Sequence, residues 1–411
     1  MSGSGPLIEP TADPVPGLRA PGAPEWLVVF GPGDFHAFNP SCTTHIAREF
    51  HRRGSRVLWI NPIPIGSPSV RSAGGRRRVL LRLRSYLRPL RRVAPGFYTL
   101  SVIGRASVRD AALAPGTRAL LRSQLRAALR WLGVRRALTW IETPSAVFGL
   151  DLVAGQKVYQ LSDKYELSRY ASPEMAAWLA EASQRLVRDC DLVTCTARTL
   201  WRELRPVRSD TLYLPHAVDL DLFTRRPGPP PDDIANLPPP IIGYFGTLTV
   251  SNNQALLAEC AARHPEWSIV LIGRITGGDW ARMQALPNVH FLGFKPLEQI
   301  PAYGSYFDVA VMDWIVDDWM HYAHPLKARE YLALGLPVVS TPLPEVVESY
   351  DGLVSIAADP DSFVTQAERA LAENSPEQAA RRRAWAARHT WRGYVDTVLD
   401  RLGGGEPEPV S

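Results

Sequence analysis

The chain has 411 residues, 45% of them apolar and 21% charged, with a formal net charge of +5 at pH 7. That length calls for two cores, and that composition excludes a collagen-like, disulfide-stapled or wholly disordered protein. No apolar run approaches the ~20 residues that span a bilayer, which excludes a transmembrane helix.

Residues 1–24, MSGSGPLIEPTADPVPGLRAPGAP, lack the basic-then-apolar order of a signal peptide and read as a disordered leader. Short apolar runs then alternate with helical stretches, the pattern of parallel α/β construction. Strands are predicted at 26–30, 57–60, 137–141, 158–161, 192–195 and 211–214, with helices at 43–53, 118–132 and 173–189 among them. Four cysteines, Cys42, Cys190, Cys195 and Cys260, have no metal-ligand spacing and fit reduced thiols of a cytoplasmic protein. Between Glu49 and Asp110 there is no acidic residue. That gap holds GGRRRVLLRLRSYLRPLRRV, in which eight arginines from Arg76 to Arg92 interleave with leucines and valines. It reads as a basic amphipathic segment interrupted at Pro89, suited to an anionic membrane surface or a polyanion, or else as a solvated helix face. Tyr86 is its one aromatic residue, so nucleic acid is not the expected partner.

A Pro-rich stretch at 225–240, RRPGPPPDDIANLPPP, reads as an interdomain linker. The pattern then restarts, with strands predicted at 241–245, 268–272, 289–292, 309–311, 338–340 and 353–356. Helices are predicted near 253–264, 300–306, 325–334, 362–373 and 377–402. The expected organisation is a first domain at 25–224, the linker, a second domain at 241–385, a closing helix at 386–402 and a loose tail at 403–411. In open α/β sheets, ligands bind outside the carboxyl ends of the strands. The first domain delivers Asp34, His36, Glu142, Asp163 and His216 there. The second delivers Gly246, Thr247, Gly273, Arg274, Phe294 and Asp313.

The segment HPLKAREYLALGLPVVSTPLPEV, His324–Val346, reads as a helix entered through Pro325 and stopped at Gly335, then a buried strand. Lys327 and Glu330 share one face of its first turns. A cation and a carboxylate beside a helix N-terminus suit a ligand that carries both phosphates and sugar hydroxyls. The rival reading is a buried helix with two snorkelling charges. Arg274 and Lys327 are candidates for the phosphates, with backbone N–H groups from Ala323 through His324 to Lys327. Glu330 is the candidate for ribose hydroxyls, and Phe294 either lines a base pocket or packs in the core. Asp163, following VYQL, is the candidate general base; the alternative is a helix cap or an ion pair with Lys164 or Arg169. His216 is either a proton carrier or a structural group. Asp34, His36 and Glu142 are secondary acceptor-side candidates. No metal site is expected, and no P-loop, HExxH or GxSxG is present.

The ordered series IIGYFGTL, WSIVLIGR, LPNVHFLGFKPLEQIPAYGSYFDVAVM and HPLKAREYLALGLPVVSTPLPEV resembles the GT-B glycosyltransferases that use nucleotide-sugar donors, with a family 4-like C-terminal domain. VYQLSDKYE, DLVTCTA and LPHAVDLDLF match more loosely. The resemblance implies two Rossmann-like doubly wound domains facing across a cleft, with the donor in the C-terminal domain and the acceptor in the N-terminal one. It also implies a final helix crossing back to the N-terminal domain. Three positions depart from the pattern. Of two glutamates eight apart, Glu330 matches the second, but Tyr322 stands at the first. The basic pair expected after the first donor-domain strand is missing from GTLTVSNN, and His216-Ala217 replaces Asn-Gly. Lys327-x-x-Glu330 together with Asp163 is similar to the xanthan-type glucuronosyltransferase branch, which inverts and uses the matching Asp as base. The implied activity is hexosyl transfer from a UDP- or GDP-sugar, with no other cofactor and no metal. The implied acceptor is a glycan, glycolipid or small molecule, in polysaccharide, glycolipid or metabolite biosynthesis. The implied location is the cytoplasm, with peripheral contact at the cytosolic membrane face through Arg76–Arg92. Rival readings are a sugar-nucleotide epimerase or hydrolase on the same scaffold, and a non-catalytic donor-binding or polyanion-binding protein.

Overall fold

The computed structural model describes residues 19–35, 40–62, 88–103, 108–109, 112–168, 171–224 and 228–404. It forms two compact units, one running to Leu214 and resuming at Val395, the other spanning Pro215–Tyr394.

In the first unit the strands are β1 (Trp26–Phe30), β2 (Arg56–Ile60), β3 (Leu90–Ala94), β4 (Phe97–Leu100), a short ribbon of β5 (Val108–Arg109) and β6 (Ala112–Leu113), β7 (Leu138–Ile141), β8 (Lys157–Leu161), β9 (Leu192–Cys195) and β10 (Leu212–Tyr213). Apart from the ribbon they make one sheet in the order β10-β9-β8-β7-β1-β2-β4-β3, parallel except for the β3–β4 pair. WLVVF is buried along its whole length, as a strand covered on both faces must be. The helix Pro115–Leu132 begins three residues before the expected start, because Pro115 supplies a pre-set first turn, and it stops at the left-handed Gly133.

One expectation is corrected here. The end of the basic segment is not part of an amphipathic helix: Leu90–Ala94 is an edge strand, antiparallel to β4. Pro95 and the left-handed Gly96 turn the chain back, so ladder pairing overrides the apolar spacing. Arg76, Arg77, Arg78, Arg82 and Arg84 lie outside the described residues, as does His36.

In the second unit the strands are β11 (Ile241–Phe245), β12 (Ser268–Ile272), β13 (Val289–Gly293), β14 (Val309–Met312), β15 (Val338–Ser340) and β16 (Val354–Ile356). They form an all-parallel sheet in the order β13-β12-β11-β14-β15-β16. Alternate residues feed opposite faces. Phe245, Val270 and Ile272 join one core layer, and Ile242, Tyr244, Ile269 and Leu271 join the other.

The chain enters this unit at Pro215, ten residues before the expected linker. Within the Pro-rich stretch, Ile234 packs into the second unit's core, and Asp233 accepts hydrogen bonds from Lys295 and Tyr303. The expected helix at 377–402 is two helices, Pro376–Ala387 and Trp391–Leu402. The break falls where Val218 N–H donates to His389 O at 2.9 Å and Val218 bridges Thr390. The last helix carries Asp396, which pairs at 2.6 Å with Arg53, the C-cap of the helix Cys42–Arg52 in the same unit.

The parallel strands of each sheet reverse order once, between β1 and β7 in the first unit and between β11 and β14 in the second. At such a switch point adjacent loops diverge and leave a crevice at the strands' carboxyl ends.

Candidate active site

In the first unit the loop after β1 begins at Gly31. The Trp59 ring lies so close that a Cβ there would sit 2.2 Å from a ring carbon. Trp59 donates to Gly33 O at 3.3 Å, Asn61 accepts from Phe35 N–H at 2.9 Å, and Asn61 donates to Ser101 at 2.9 Å. The loop carrying Asp34, which is half-buried, is thus held from below.

After β7 comes Glu142, buried in a polar network. Thr43 and Cys42, in the first turn of the helix Cys42–Arg52, donate to its two carboxyl oxygens, Cys42 Sγ at 3.4 Å. Gln160, on β8, donates to Cys42 Sγ at 3.1 Å and to Ser162 Oγ at 3.0 Å, and its own carbonyl accepts from Trp140 at 2.9 Å. Burial, reinforced by the charge of Asp163, pushes the Glu142 carboxyl up to about 8. It is therefore protonated at neutral pH. Burial likewise drives the Cys42 thiol well above its ordinary range, so it is not a nucleophile.

Asp163 follows β8 and differs from Glu142 in kind. It is half-buried and has no hydrogen-bond or ion-pair partner among the described residues. Lys164, one of its expected partners, pairs instead with Glu203 at 2.5 Å. The next long helix, Pro173–Asp189, is capped by Ser172. Low-polarity surroundings raise Asp163 to about 6. A carboxylate that is ionised at neutral pH yet unusually basic is what proton abstraction from a hydroxyl requires.

In the second unit Gly246 ends β11 at φ +142°. Its missing side chain is the space occupied by Lys327: a Cβ there would meet Lys327 Cε at 2.1 Å and Nζ at 2.5 Å. Gly273 closes against the same loop, where a Cβ would meet Gly246 O at 1.8 Å. The Lys327 ammonium stands 4.8 Å from the Trp314 ring centroid and 5.3 Å from that of Tyr244. No carboxylate lies within ion-pair distance of it among the described residues. Tyr244 in turn donates to Thr247 O at 3.2 Å.

Lys327 sits in the first turn of the helix Leu326–Leu334. Pro325 is the cap and not the first helical residue, and Gly335 ends the helix at φ +83°. Glu330, one turn on, is half-buried. Burial raises it to about 7, partly offset by Lys327 and reinforced by Asp219. The loop after β11 is stitched to its neighbours. Asn252 donates to Asp313 at 2.9 Å, Leu248 N–H donates to Arg274 O at 2.9 Å, and Ile315 N–H donates to Ser251 O at 2.8 Å. Asp313 is fully buried next to the switch point, and burial raises it to about 6.

The remaining candidates fall elsewhere. Arg274 is exposed, with its guanidinium 4.0 Å from the Phe294 ring centroid; Phe294 is 39% exposed, so it is not a core residue. His324 is buried, and it accepts from His216 N–H at 3.1 Å through Nδ1 and meets Tyr350 OH at 3.1 Å through Nε2. Both ring nitrogens are therefore engaged within the protein, and His324 braces the approach to the helix. His216 belongs to the second unit and not to the first. It stacks on His324 with centroids 5.1 Å apart, and burial with nearby Arg329 lowers it to about 3, so it is an uncharged imidazole at neutral pH.

Sequence reasoning missed Tyr244, Asn252, Cys42, Thr43, Gln160 and Ser162. Only Ser41-Cys42-Thr43-Thr44 had a readable signal, a capping box that Ser41 and Thr44 complete. Among the described residues, no cluster of three or more His, Cys, Asp or Glu is placed to hold a metal ion, and no helix is long and apolar enough to cross a membrane.

Comparison with known proteins bears on the fold. Residues 239–373 match the family model described as glycosyl transferases group 1. Over 237 residues the chain is 26% identical to the putative teichuronic acid biosynthesis glycosyltransferase TuaH of Bacillus subtilis (strain 168). That match covers 55% of this chain and 60% of the relative's length. Among solved structures, sucrose-phosphate synthase of Thermosynechococcus elongatus aligns at TM-score 0.66 with 16% identity, covering 92% of this chain and 99% of that one. HepE of Anabaena in complex with UDP aligns at TM-score 0.63 with 15% identity, covering 92% and 100%. The chain has the GT-B fold of two Rossmann-like units, and residues 239–373, within the second unit, match the glycosyl transferases group 1 model.

Proposed function

We propose that this chain transfers a sugar from a nucleotide-diphosphate sugar to an acceptor hydroxyl. The observation that carries the reading is Lys327: an ammonium group with no carboxylate within ion-pair distance among the described residues, seated in the hollow of Gly246 at the head of a nine-residue helix. A diphosphate supplies the negative charge such a site lacks, meeting the ammonium and the free N–H groups of the helix's first turn. Glu330, one turn further, accepts from ribose hydroxyls. HepE has been solved with UDP-glucose bound, which favours a UDP-hexose here. TuaH is named for teichuronic acid biosynthesis, which favours a growing glycan as acceptor.

In this reading Asp163 takes the proton of the acceptor hydroxyl as its oxygen attacks the anomeric carbon. The bond from that carbon to the diphosphate oxygen breaks, and the electron pair leaves with the diphosphate. Lys327 and the helix N-terminus meet the departing charge, which is why no metal is invoked. Direct attack by a hydroxyl activated in this way inverts the anomeric centre. Tyr322, standing where a second glutamate would support retention, agrees with that outcome.

A panel of nucleotide sugars tested for thermal stabilisation identifies the donor. UDP-sugars should raise the melting temperature of the wild type, and the rise should shrink in Lys327→Ala and Glu330→Ala. Equal stabilisation of Lys327→Ala and wild type would remove the donor site from this helix. Release or epimerisation of the sugar at full rate without any acceptor would favour the hydrolase or epimerase reading.

A further inference from the structure

The helix Pro115–Leu132 packs Leu121, Leu125, Leu129 and Leu132 into the first unit. Its outward face is unusual in two respects. No acidic residue occurs between Asp110 and Glu142, so every charge that the helix itself contributes is an arginine; Asp151, from later in the chain, pairs with Arg122 at 2.5 Å on one flank. Arg126 and Arg130 point away from the core, and Arg135 and Arg136 follow just beyond the helix, all exposed. The second feature is apolar. Trp131 is 73% exposed and Leu120 is 49% exposed. At about 100° per residue these two fall within about 20° of each other around the helix axis, roughly 16 Å apart along it. Ile103, also exposed, is fastened beside that flank: Gln124 accepts from its N–H and donates to its carbonyl, both at 2.7 Å.

From this placement we infer that the outward face of the helix Pro115–Leu132 docks on an anionic lipid surface, with Trp131 and Leu120 entering the headgroup layer and Arg126 and Arg130 against the phosphates. Charge complementarity selects the occupant, because Arg126 and Arg130, on a helix whose own charges are all arginines, are drawn to a sheet of negative headgroups. The large exposed indole selects a lipid surface over a soluble acidic protein, since an indole is most stable where one side is apolar and the other wet. The leucine face is already spent on the core, so contact is shallow and depends on charge. These residues are separate from Arg76–Arg92, and the inference stands whether or not the chain transfers sugar.

The test uses the full chain, without sugar donor, and vesicles of phosphatidylcholine alone or with about a third phosphatidylglycerol. The wild type should float with the anionic vesicles only, and added salt should release it as the Debye length shortens. Arg126→Glu with Arg130→Glu should bind roughly 30-fold more weakly or worse, at about fivefold for each arginine removed from near an anionic surface. Arg126→Gln with Arg130→Gln provides a milder variant should the charge reversal lower the melting temperature. Trp131→Phe should bind nearly as well but lose the quenching that brominated acyl chains impose on the wild type. Wild-type binding by the folded double variants, or no binding of the wild type to anionic vesicles, overturns the inference. So does capture of an RNA oligonucleotide in place of the vesicles.

Discussion

The two switch points differ in how their charges are held. In the first unit Glu142 is enclosed by Thr43 and Cys42, stays protonated and leaves Asp163 alone to accept a proton. In the second unit Lys327 and Glu330 are left open, while the buried carboxyl of Asp313 is tied to Asn252 behind them. Each crevice thus pairs a buried carboxyl anchored by hydrogen bonds, through one oxygen only in Asp313, with more open groups that have no partner among the described residues. The anchored member fixes the geometry, and the open members are the ones a ligand can complete.

The largest effect tests this contrast directly. Asp163→Asn should lower the transfer rate by roughly 10²–10⁴-fold while UDP affinity by calorimetry stays near wild type, because general-base catalysis contributes about that factor. Transfer at the wild-type rate would move the base elsewhere. Next, Lys327→Ala should weaken UDP binding by roughly 10–100-fold, the usual cost of losing a hydrogen bond to a charged group. An unchanged dissociation constant would show that the open ammonium is incidental.

The pH profile sharpens the same comparison. Asp163 must be ionised to act and is raised to about 6, so the rate should fall as pH drops through that value. At pH 5 it should be about tenfold below the plateau. A midpoint near 4 would mean that the half-buried carboxylate behaves as if in water. Gly246→Ala should follow in size. It forces a left-handed backbone on a side chain and displaces Lys327, so UDP affinity should drop roughly 3–10-fold, with a few degrees lost in melting temperature. The smallest effect belongs to Glu142→Gln. If Glu142 is already neutral at working pH, the rate should stay within about threefold of wild type and the midpoint should not move. A large loss there, with Asp163→Asn active, would exchange the roles of the two carboxyls.

The strands were readable because an apolar run bounded by Gly, Pro and polar residues has few alternatives in a parallel sheet, and WLVVF, IIGYF and SIVLI are each of that kind. The site was readable only in part. Lys327 and Glu330 share a helical face by spacing alone, and Asp163 follows a buried run. Nothing in the spacing linked Cys42 to Glu142, a hundred residues apart, or Asn252 to Asp313. His216 reads equally as a proton carrier or as a structural group. Packing against His324 removed it from water, and burial decides protonation where residue type cannot.

Local sequence determined the alternation of elements, the glycine stops and the residues that arrive at strand ends, because these depend on periodicity and backbone sterics within a few residues. The tertiary structure decided which ionisable groups are satisfied and which are open. It also made Leu90–Ala94 a strand, since the partner across a sheet or a crevice comes from distant chain. Solvent access and long-range pairing set those outcomes, and neither is written in local order.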